Sequence, residues 1–155
     1  METKTLVRQP VAADNNCLFR ALALLAQSNT PPAEIRRTIA DATLAQPDHA
    51  SLAAMLGHDS LEEYVRWIVD QTHWGGEPEL LALARHFRLD VHLVSCETLR
   101  RTRYAADAPT RTAFLLYTGQ HYDPLVPADA ETNTPLPEPS LPYPLPAEHC
   151  AALRA

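Results

Sequence analysis

Residues 14–22 read Asp-Asn-Asn-Cys-Leu-Phe-Arg-Ala-Leu, a polar turn that runs directly into a helix. From Leu18 onward, apolar residues recur at i, i+3, i+4 and i+7, so one face of this helix is apolar. Asn15 and Asn16 are good N-cap residues, which places Cys17 in the first turn.

The position of Cys17 favours a reactive thiol. Unpaired amides and the positive end of the helix dipole lie at a helix N-terminus and stabilise a thiolate. The pKa of such a cysteine can fall from about 8.5 towards 7.5 or below, and the thiolate is the nucleophile. The alternative is a small buried core residue, which is what most free cysteines are.

Composition narrows the class of protein. The 155 residues suit one domain with its own core, and a net charge of -6 argues against nucleic acid or an anionic membrane as the main partner. Three cysteines without a CxxC pair indicate neither a disulfide framework nor a zinc finger, so a reducing compartment is expected. With no apolar signal-peptide core and no membrane-length run, we expect a cytoplasmic protein, or one delivered into a host cytosol.

Helical spacing fills the first half of the chain, and strand patterns follow residue 88. A capping box opens a helix predicted over residues 61–71, and Glu77 opens the next one. Residues 112–118 are apolar on both faces, which is typical of a central strand. Further strands are predicted at 90–96, 99–104 and 121–125, with an edge strand or lead-in at 6–12. The order predicts an α+β fold with a small central β-sheet packed between helices.

The C-terminal segment differs in composition from the rest. Eight of the fourteen prolines lie between Pro124 and Pro146, and proline cannot donate to a sheet and disfavours helix in its predecessor. We therefore predict a domain over residues 1–126 and a Pro-rich tail over 127–155. Residues 127–147 are expected to be an extended or disordered tail, with a strap docked on the domain as the alternative.

His121 is the histidine best placed to serve a nucleophile. It follows a glycine turn after the most apolar strand, and Asp123 lies two residues on, on the same face of a strand. Asp123 can then accept from the imidazole and fix its tautomer. Cysteine catalysis needs a base of this kind and a group that orients it. The alternative is a hairpin-end histidine beside a turn aspartate.

Three ordered segments carry a family resemblance. They are DNNCLFRA (14–21), WGGEPEL (74–80) and LLYTGQHYDPL (115–125). Together they resemble the ovarian-tumour (OTU) family of cysteine proteases, and within it the compact subfamily typified by the yeast Otu deubiquitinase. The resemblance spans roughly residues 6–126 and implies a papain-like OTU fold.

The resemblance implies a role for each matching position. Cys17 would attack the carbonyl of a ubiquitin C-terminal glycine joined to a lysine. His121 would act as general base and then as general acid, and Asp123 would orient it. Asp14 would shape the loop before the cysteine. The amides of that loop, together with the amide of Cys17, would form the oxyanion hole.

The expected substrate-binding residues flank these groups. Small residues there would suit a narrow channel for the slender Gly-Gly end of ubiquitin. The set comprises Asn15, Asn16, Trp74, Gly75, Gly76 and Tyr122.

The resemblance also sets the expected partners and the alternatives. A ubiquitin-specific thiol protease of this kind would act on ubiquitin, polyubiquitin chains or a ubiquitin-like modifier, as a monomer, without cofactor or metal. The alternative is a module that binds ubiquitin or a ubiquitin-like modifier with little turnover. Metal-dependent hydrolysis through His121 and Asp123 lacks a third ligand at a suitable spacing.

Overall fold

The computed structural model of the protein describes residues 4–145. Within them, five helices stand between a first edge strand and the remaining strands of one sheet. The change from helical to strand periodicity after residue 88 is confirmed. The elements are β1 (Lys4–Arg8), α1 (Cys17–Leu25), α2 (Pro32–Leu44), α3 (His49–Met55), α4 (Leu61–Val69), α5 (Glu77–Phe87), β2 (Leu89–Ser95), β3 (Arg101–Ala105), β4 (Arg111–Tyr117), β5 (Tyr122–Asp129) and β6 (Leu141–Pro142).

Local signals set the helix boundaries that frame the site. The Ser60 hydroxyl accepts from the amide of Glu63 at 3.1 Å and begins α4, as the capping box predicts. At the other end of the helical region, Arg88 adopts φ +56°, a left-handed conformation that ends α5 and turns the chain into β2.

The sheet is mixed, with strand order β1-β5-β4-β2-β3. β2 and β4 run parallel, and the other pairs are antiparallel, with β6 paired to the first residues of β4. The apolar strand β4 is therefore central, as predicted, and the α+β class is confirmed. The turn between β4 and β5 places His121 and Asp123 at the end of the sheet where β5 begins.

The two faces of the sheet have different characters. Val91, Leu115 and Val126 belong to the hydrophobic core that the helices cover. Alternate strand positions such as His92 and Phe114 point to the opposite face and lie outside that core. In the described residues, the helical core thus packs on one face of the sheet and does not enclose both.

The Pro-rich segment packs against the domain. The predicted boundary at residue 126 falls inside β5, because residues 125–129 pair with β1. Residues 134–142, the strap, then run back from β5 to the start of β4: the amide of Leu136 donates to the carbonyl of Pro127 at 2.8 Å, and Leu141 pairs with Thr112. The docked alternative is therefore what the structure has over 127–145. The remainder of the predicted tail lies outside the described residues.

No helix within residues 4–145 is both long enough and apolar enough to cross a membrane.

Candidate active site

Cys17 is the first residue of α1, and Asp14 builds the turn before it. The Asp14 carboxylate accepts from the amide of Asn16 at 2.9 Å and from Arg20 Nε at 3.2 Å. Asn16 occupies the N-cap position, as predicted, but its side chain does not cap the helix. Its amide group instead bonds Gln71 and Arg36, which ties the turn to neighbouring segments.

The thiol of Cys17 is buried, with 7 % of the residue exposed. Burial raises its pKa, against the lowering effect of the backbone amides of Tyr122 and Leu18, and the charges of Asp14 and Asp123 raise it further. The predicted lowering of the pKa by the helix N-terminus is therefore wrong for the resting protein, because burial outweighs it. A thiol in this state needs a base to become a nucleophile.

His121 and Asp123, the predicted base and its orienting group, are in hydrogen-bond contact. His121 Nε2 lies 2.8 Å from Asp123 Oδ1. Because an ionised carboxylate only accepts, Nε2 carries the proton and Nδ1 is left with the lone pair. The thiol of Cys17 is influenced by the amide of Tyr122, the residue between His121 and Asp123, which places α1 beside this pair.

Asp123 is fully buried and held by three donors. Besides His121, these are the Val11 amide at 2.9 Å from Oδ1 and Arg8 Nε on Oδ2. Burial raises the pKa of Asp123, but the hydrogen bonds from Val11, Arg8 and His121 outweigh it and hold the pKa below its usual value. The carboxylate is therefore charged at neutral pH.

Tyr122 contributes its backbone to the site more directly than its ring. The ring is buried and stacks on Tyr117, with centroids 4.6 Å apart, and burial raises its pKa. Its predicted role in substrate binding stays a prediction.

The Trp74-Gly75-Gly76 segment lies beside the cysteine turn. Trp74 is 58 % exposed, and its Nε1 donates to Asn15 Oδ1. A Cβ on Gly75 would lie 2.8 Å from Leu18 Cδ2 and 3.0 Å from the Phe19 ring, so this glycine lets the segment pack on α1. The small size of Gly75 thus serves packing inside the molecule.

Glu79 explains the acidic position of the middle motif. Its Oε1 accepts from the amide of Gly76 at 3.0 Å, and its Oε2 accepts from the Tyr64 hydroxyl at 3.2 Å. Burial raises the pKa of Glu79, and the bonds from Gly76 and Tyr64 act in the opposite direction. The side chain closes the first turn of α5 and fixes the segment before it.

Arg36 is the residue that the sequence interpretation missed. Its guanidinium is fully buried on α2 and lies 4.4 Å from the centroid of the Phe19 ring. Burial lowers its pKa, and nearby carboxylates act in the opposite direction. Its five hydrogen bonds join the cysteine turn, the end of α4 and the residue before Trp74; the acceptors are Asn16 Oδ1 (2.9 Å) and the carbonyls of Asn15 (3.0 Å), Ile68 (2.8 Å), Asp70 (3.1 Å) and His73 (2.6 Å).

A second histidine–carboxylate pair lies on β2. His92 Nε2 is 3.2 Å from Asp90 Oδ2. Arg103 of the edge strand β3 donates to the same carboxylate, from Nε to Oδ1 at 3.1 Å and from Nη2 to Oδ2 at 2.8 Å. The His92 ring packs on Phe114 at 4.9 Å, and its Nδ1 is buried without a hydrogen-bond partner. Among the described residues, no group of three His, Cys, Asp or Glu side chains is placed to hold a metal ion.

A cysteine at a helix N-terminus beside a hydrogen-bonded His–Asp pair, here at the start of β5, resembles the arrangement of papain-like cysteine proteases. The model of the OTU-like cysteine protease family matches residues 12–122. The chain belongs to this family.

The curated relatives agree. The chain is 36% identical over 135 residues to "Ubiquitin thioesterase OTU1" of Rattus norvegicus, an alignment that covers 84% of this chain and 39% of the relative. It is 39% identical over 111 residues to "Putative ubiquitin thioesterase otu1" of Schizosaccharomyces pombe, covering 71% of this chain and 32% of the relative. The chain thus spans about two fifths or less of the length of these relatives.

The fold has counterparts among solved structures. "Structure of Ovarian Tumor (OTU) domain in complex with Ubiquitin" superposes with a TM-score of 0.78 at 23% identity. The match covers 97% of this chain and 84% of that one, so it includes the strap as well as the sheet. The predicted OTU fold is confirmed.

Proposed function

We propose that this chain is a cysteine-type deubiquitinase that hydrolyses the isopeptide bond at the C-terminal glycine of ubiquitin. The observation that carries the proposal is the 2.8 Å contact of His121 with the buried carboxylate of Asp123, next to Cys17 at the start of α1. Cys17, His121 and Asp123 can thus fill the roles of nucleophile, base and orienting group that cysteine catalysis requires.

The reaction follows from the protonation states of these groups. His121 Nδ1 takes the thiol proton of Cys17, and the thiolate attacks the glycine carbonyl. The imidazolium, stabilised by Asp123, then gives its proton to the departing lysine amine. Water, deprotonated by His121, hydrolyses the thioester and releases the ubiquitin carboxylate. Because burial raises the pKa of Cys17, the reaction needs His121 to take the thiol proton.

The oxyanion of each tetrahedral intermediate needs fixed donors. We assign this task to the amide of Cys17 and the amides of the turn that Asp14 shapes. Loss of one such donor typically costs about 3 kcal/mol of transition-state stabilisation. Asp14 acts on the reaction through the geometry of this turn.

The substrate class rests on the relatives. Two of them are named ubiquitin thioesterases, and an OTU domain of similar fold is solved in complex with ubiquitin. In this chain, exposed Trp74 beside Asn15 offers an apolar wall for an extended peptide tail. We propose ubiquitin, polyubiquitin or a ubiquitin-like modifier as the partner, in the cytosol or in a host cytosol, with no cofactor.

The test is incubation with ubiquitin that bears a C-terminal propargyl group. Wild type should gain the mass of one ubiquitin, and Cys17→Ala and His121→Ala should not. Cys96→Ala is the matched control, because Cys96 is an exposed free cysteine at the end of β2. An adduct on Cys17→Ala, or none on folded wild type with ubiquitin or ubiquitin-like probes, would contradict the proposal.

The second candidate function is binding without turnover, and the raised pKa of the Cys17 thiol favours it. It predicts that ubiquitin raises the melting temperature of the wild-type protein while the propargyl probe leaves its mass unchanged.

A further inference from the structure

Arg8 lies on the side of the Asp123 carboxylate that His121 does not use. His121 and the Val11 amide share Oδ1, and Arg8 Nε donates to Oδ2. The Arg8 side chain is 49 % exposed, whereas Asp123 is fully buried. A half-exposed cation therefore reaches the one buried carboxylate on which the orientation of the base depends.

The backbone fixes this contact from both sides of Arg8. Within the β1–β5 ladder Arg8 pairs with Leu125, two residues along the strand from Asp123 and on the same face. The pairing continues beyond the strand, where the amide of Gln9 donates to the carbonyl of Pro124 at 3.0 Å. Arg8 thus reaches Asp123 as a diagonal cross-strand neighbour, held by main-chain bonds on each side.

We propose that Arg8 is a positioning residue for the reaction, which keeps Asp123 ionised with Oδ1 directed at His121. The inference rests on the proposed function. A charge-assisted bond to Oδ2 holds the plane of the carboxylate and leaves the lone pairs of Oδ1 for the imidazole. A bond of this kind is lost with the guanidinium, and a single amide from Val11 then remains to orient the carboxylate beside His121.

The expected pH effect follows from the charges around Asp123. The groups that face it are Arg8 from β1, His121 from the turn before β5 and Cys17 from α1, and Asp14 acts on Cys17 by its charge. Removing the guanidinium makes the anion less stable, so Asp123 takes up a proton at higher pH. His121 then loses its acceptor sooner on acidification, and the acid limb of the pH–kcat profile moves to higher pH.

The test compares Arg8→Ala and Arg8→Lys with wild type, using a fluorogenic ubiquitin substrate. Arg8→Ala should lower kcat about tenfold, the effect of about 1.4 kcal/mol, with KM unchanged. Arg8→Lys keeps a cation and should recover most of kcat and the wild-type acid limb. Arg103→Ala is the matched control: Arg103 also extends from an edge strand, is 56 % exposed and binds a buried aspartate, but one remote from Cys17.

A second readout separates this inference from the proposed function. The carboxyl carbon of Asp123, followed by NMR, should titrate at higher pH in Arg8→Ala whether or not ubiquitin is the substrate. An unchanged Asp123 titration, or a folded Arg8→Ala with wild-type kcat and pH profile, would overturn the role of Arg8. Equal losses of kcat in Arg8→Ala and Arg103→Ala would also overturn it, since they would indicate general destabilisation. Failure of the proposed function would appear separately, as wild type that forms no adduct.

Discussion

Two sets of Arg, Asp and His side chains occupy the outer regions of the same sheet. In each, a buried aspartate bonds a histidine two residues away along the chain, and an arginine from the neighbouring edge strand donates to the same carboxylate. One set serves the candidate site and the other lies on β2 and β3. They are Arg8–Asp123–His121 and Arg103–Asp90–His92.

The two sets differ in what surrounds the imidazole. The His121 side chain is 17% exposed and its neighbours Tyr122 and Asp123 act on Cys17, whereas the His92 side chain is 5% exposed and packs on Phe114. Nδ1 of His92 is buried and has no hydrogen-bond partner, so it cannot exchange a proton with a substrate. The same three residue types can therefore form a base with its supports or a buried structural contact, and solvent access together with a nearby thiol decides which.

The largest expected effect separates the two aspartates. Asp123→Asn puts an amide where His121 needs a carboxylate, so the imidazole loses its tautomer and its charge partner. We expect kcat/KM to fall on the order of 10³-fold. Asp90→Asn should lower the melting temperature and leave kcat/KM within about threefold. Similar losses of kcat/KM in both variants, measured on the fluorogenic ubiquitin substrate, would refute the distinction.

The second prediction asks how strongly the site region depends on Arg36. Arg36→Met removes five hydrogen bonds, two to buried acceptors and three to partly buried ones, and a buried group that stays unpaired costs about 1–3 kcal/mol. Allowing for water and relaxation, we expect the free energy of unfolding to fall by about 3 kcal/mol. Urea denaturation of Arg36→Met beside Arg37→Met checks this, because Arg37 is an exposed neighbour on the same helix. A loss of similar size in Arg37→Met would contradict the prediction, because it would show that any substitution in this part of α2 destabilises the protein and that the hydrogen bonds of Arg36 are not the cause.

The third prediction concerns the packing of the glycine segment on α1. An added Cβ at Gly75 meets Leu18 and Phe19 at 2.8 and 3.0 Å, whereas at Gly76 the nearest atom is 4.0 Å away. Gly75→Ala should therefore lower the free energy of unfolding by about 2 kcal/mol, and Gly76→Ala by less than about 0.5 kcal/mol. Urea denaturation of the two variants measures the difference. If they match, close packing is not why position 75 is a glycine.

The smallest effect is a pH dependence that should follow His92. Burial lowers the pKa of His92, although Asp90 acts in the opposite direction. The unfolded chain then binds the proton more readily, so the free energy of unfolding falls as pH drops below about 6.5. One proton contributes at most about 1.4 kcal/mol per pH unit. We expect His92→Gln to flatten the slope between about pH 5 and 7; a slope equal to that of wild type would show that His92 titrates normally.

The residues that the sequence could reveal are those whose signal is local. Cys17 follows a run of turn-forming polar residues, and His121 with Asp123 share a strand face at spacing two. The structure joins His121 to Asp123 and places Cys17 beside them. Helix types and the central strand were likewise predictable, because each rests on the period of apolar residues in one segment.

The residues that escaped prediction work through distant segments. Four of the five acceptors of Arg36 are backbone carbonyls, which carry no residue identity for a sequence to show. The one available signal was an arginine directly beside Ile35 and four residues before Ala40, on the buried side of α2. The docked strap was only the alternative prediction, for a similar reason. Its prolines suggest solvated chain, while Leu141 is buried through a two-residue pairing too short to leave a pattern.

The pairing of β1 with β5 also determines when, during synthesis and folding, the site can form. Arg8 and Asp123 are 115 residues apart, so during synthesis β1 exists well before its partner strand is made. Closing so long a loop is costly in entropy and contributes to slow folding. Cys17 is made early, but its proposed base, His121, and the Arg8–Asp123 contact that positions it come together only when β5 pairs with β1. Under the proposed function, partly made or partly unfolded chains therefore carry a nucleophile without its activator, and hydrolytic activity would report that β1 and β5 have paired.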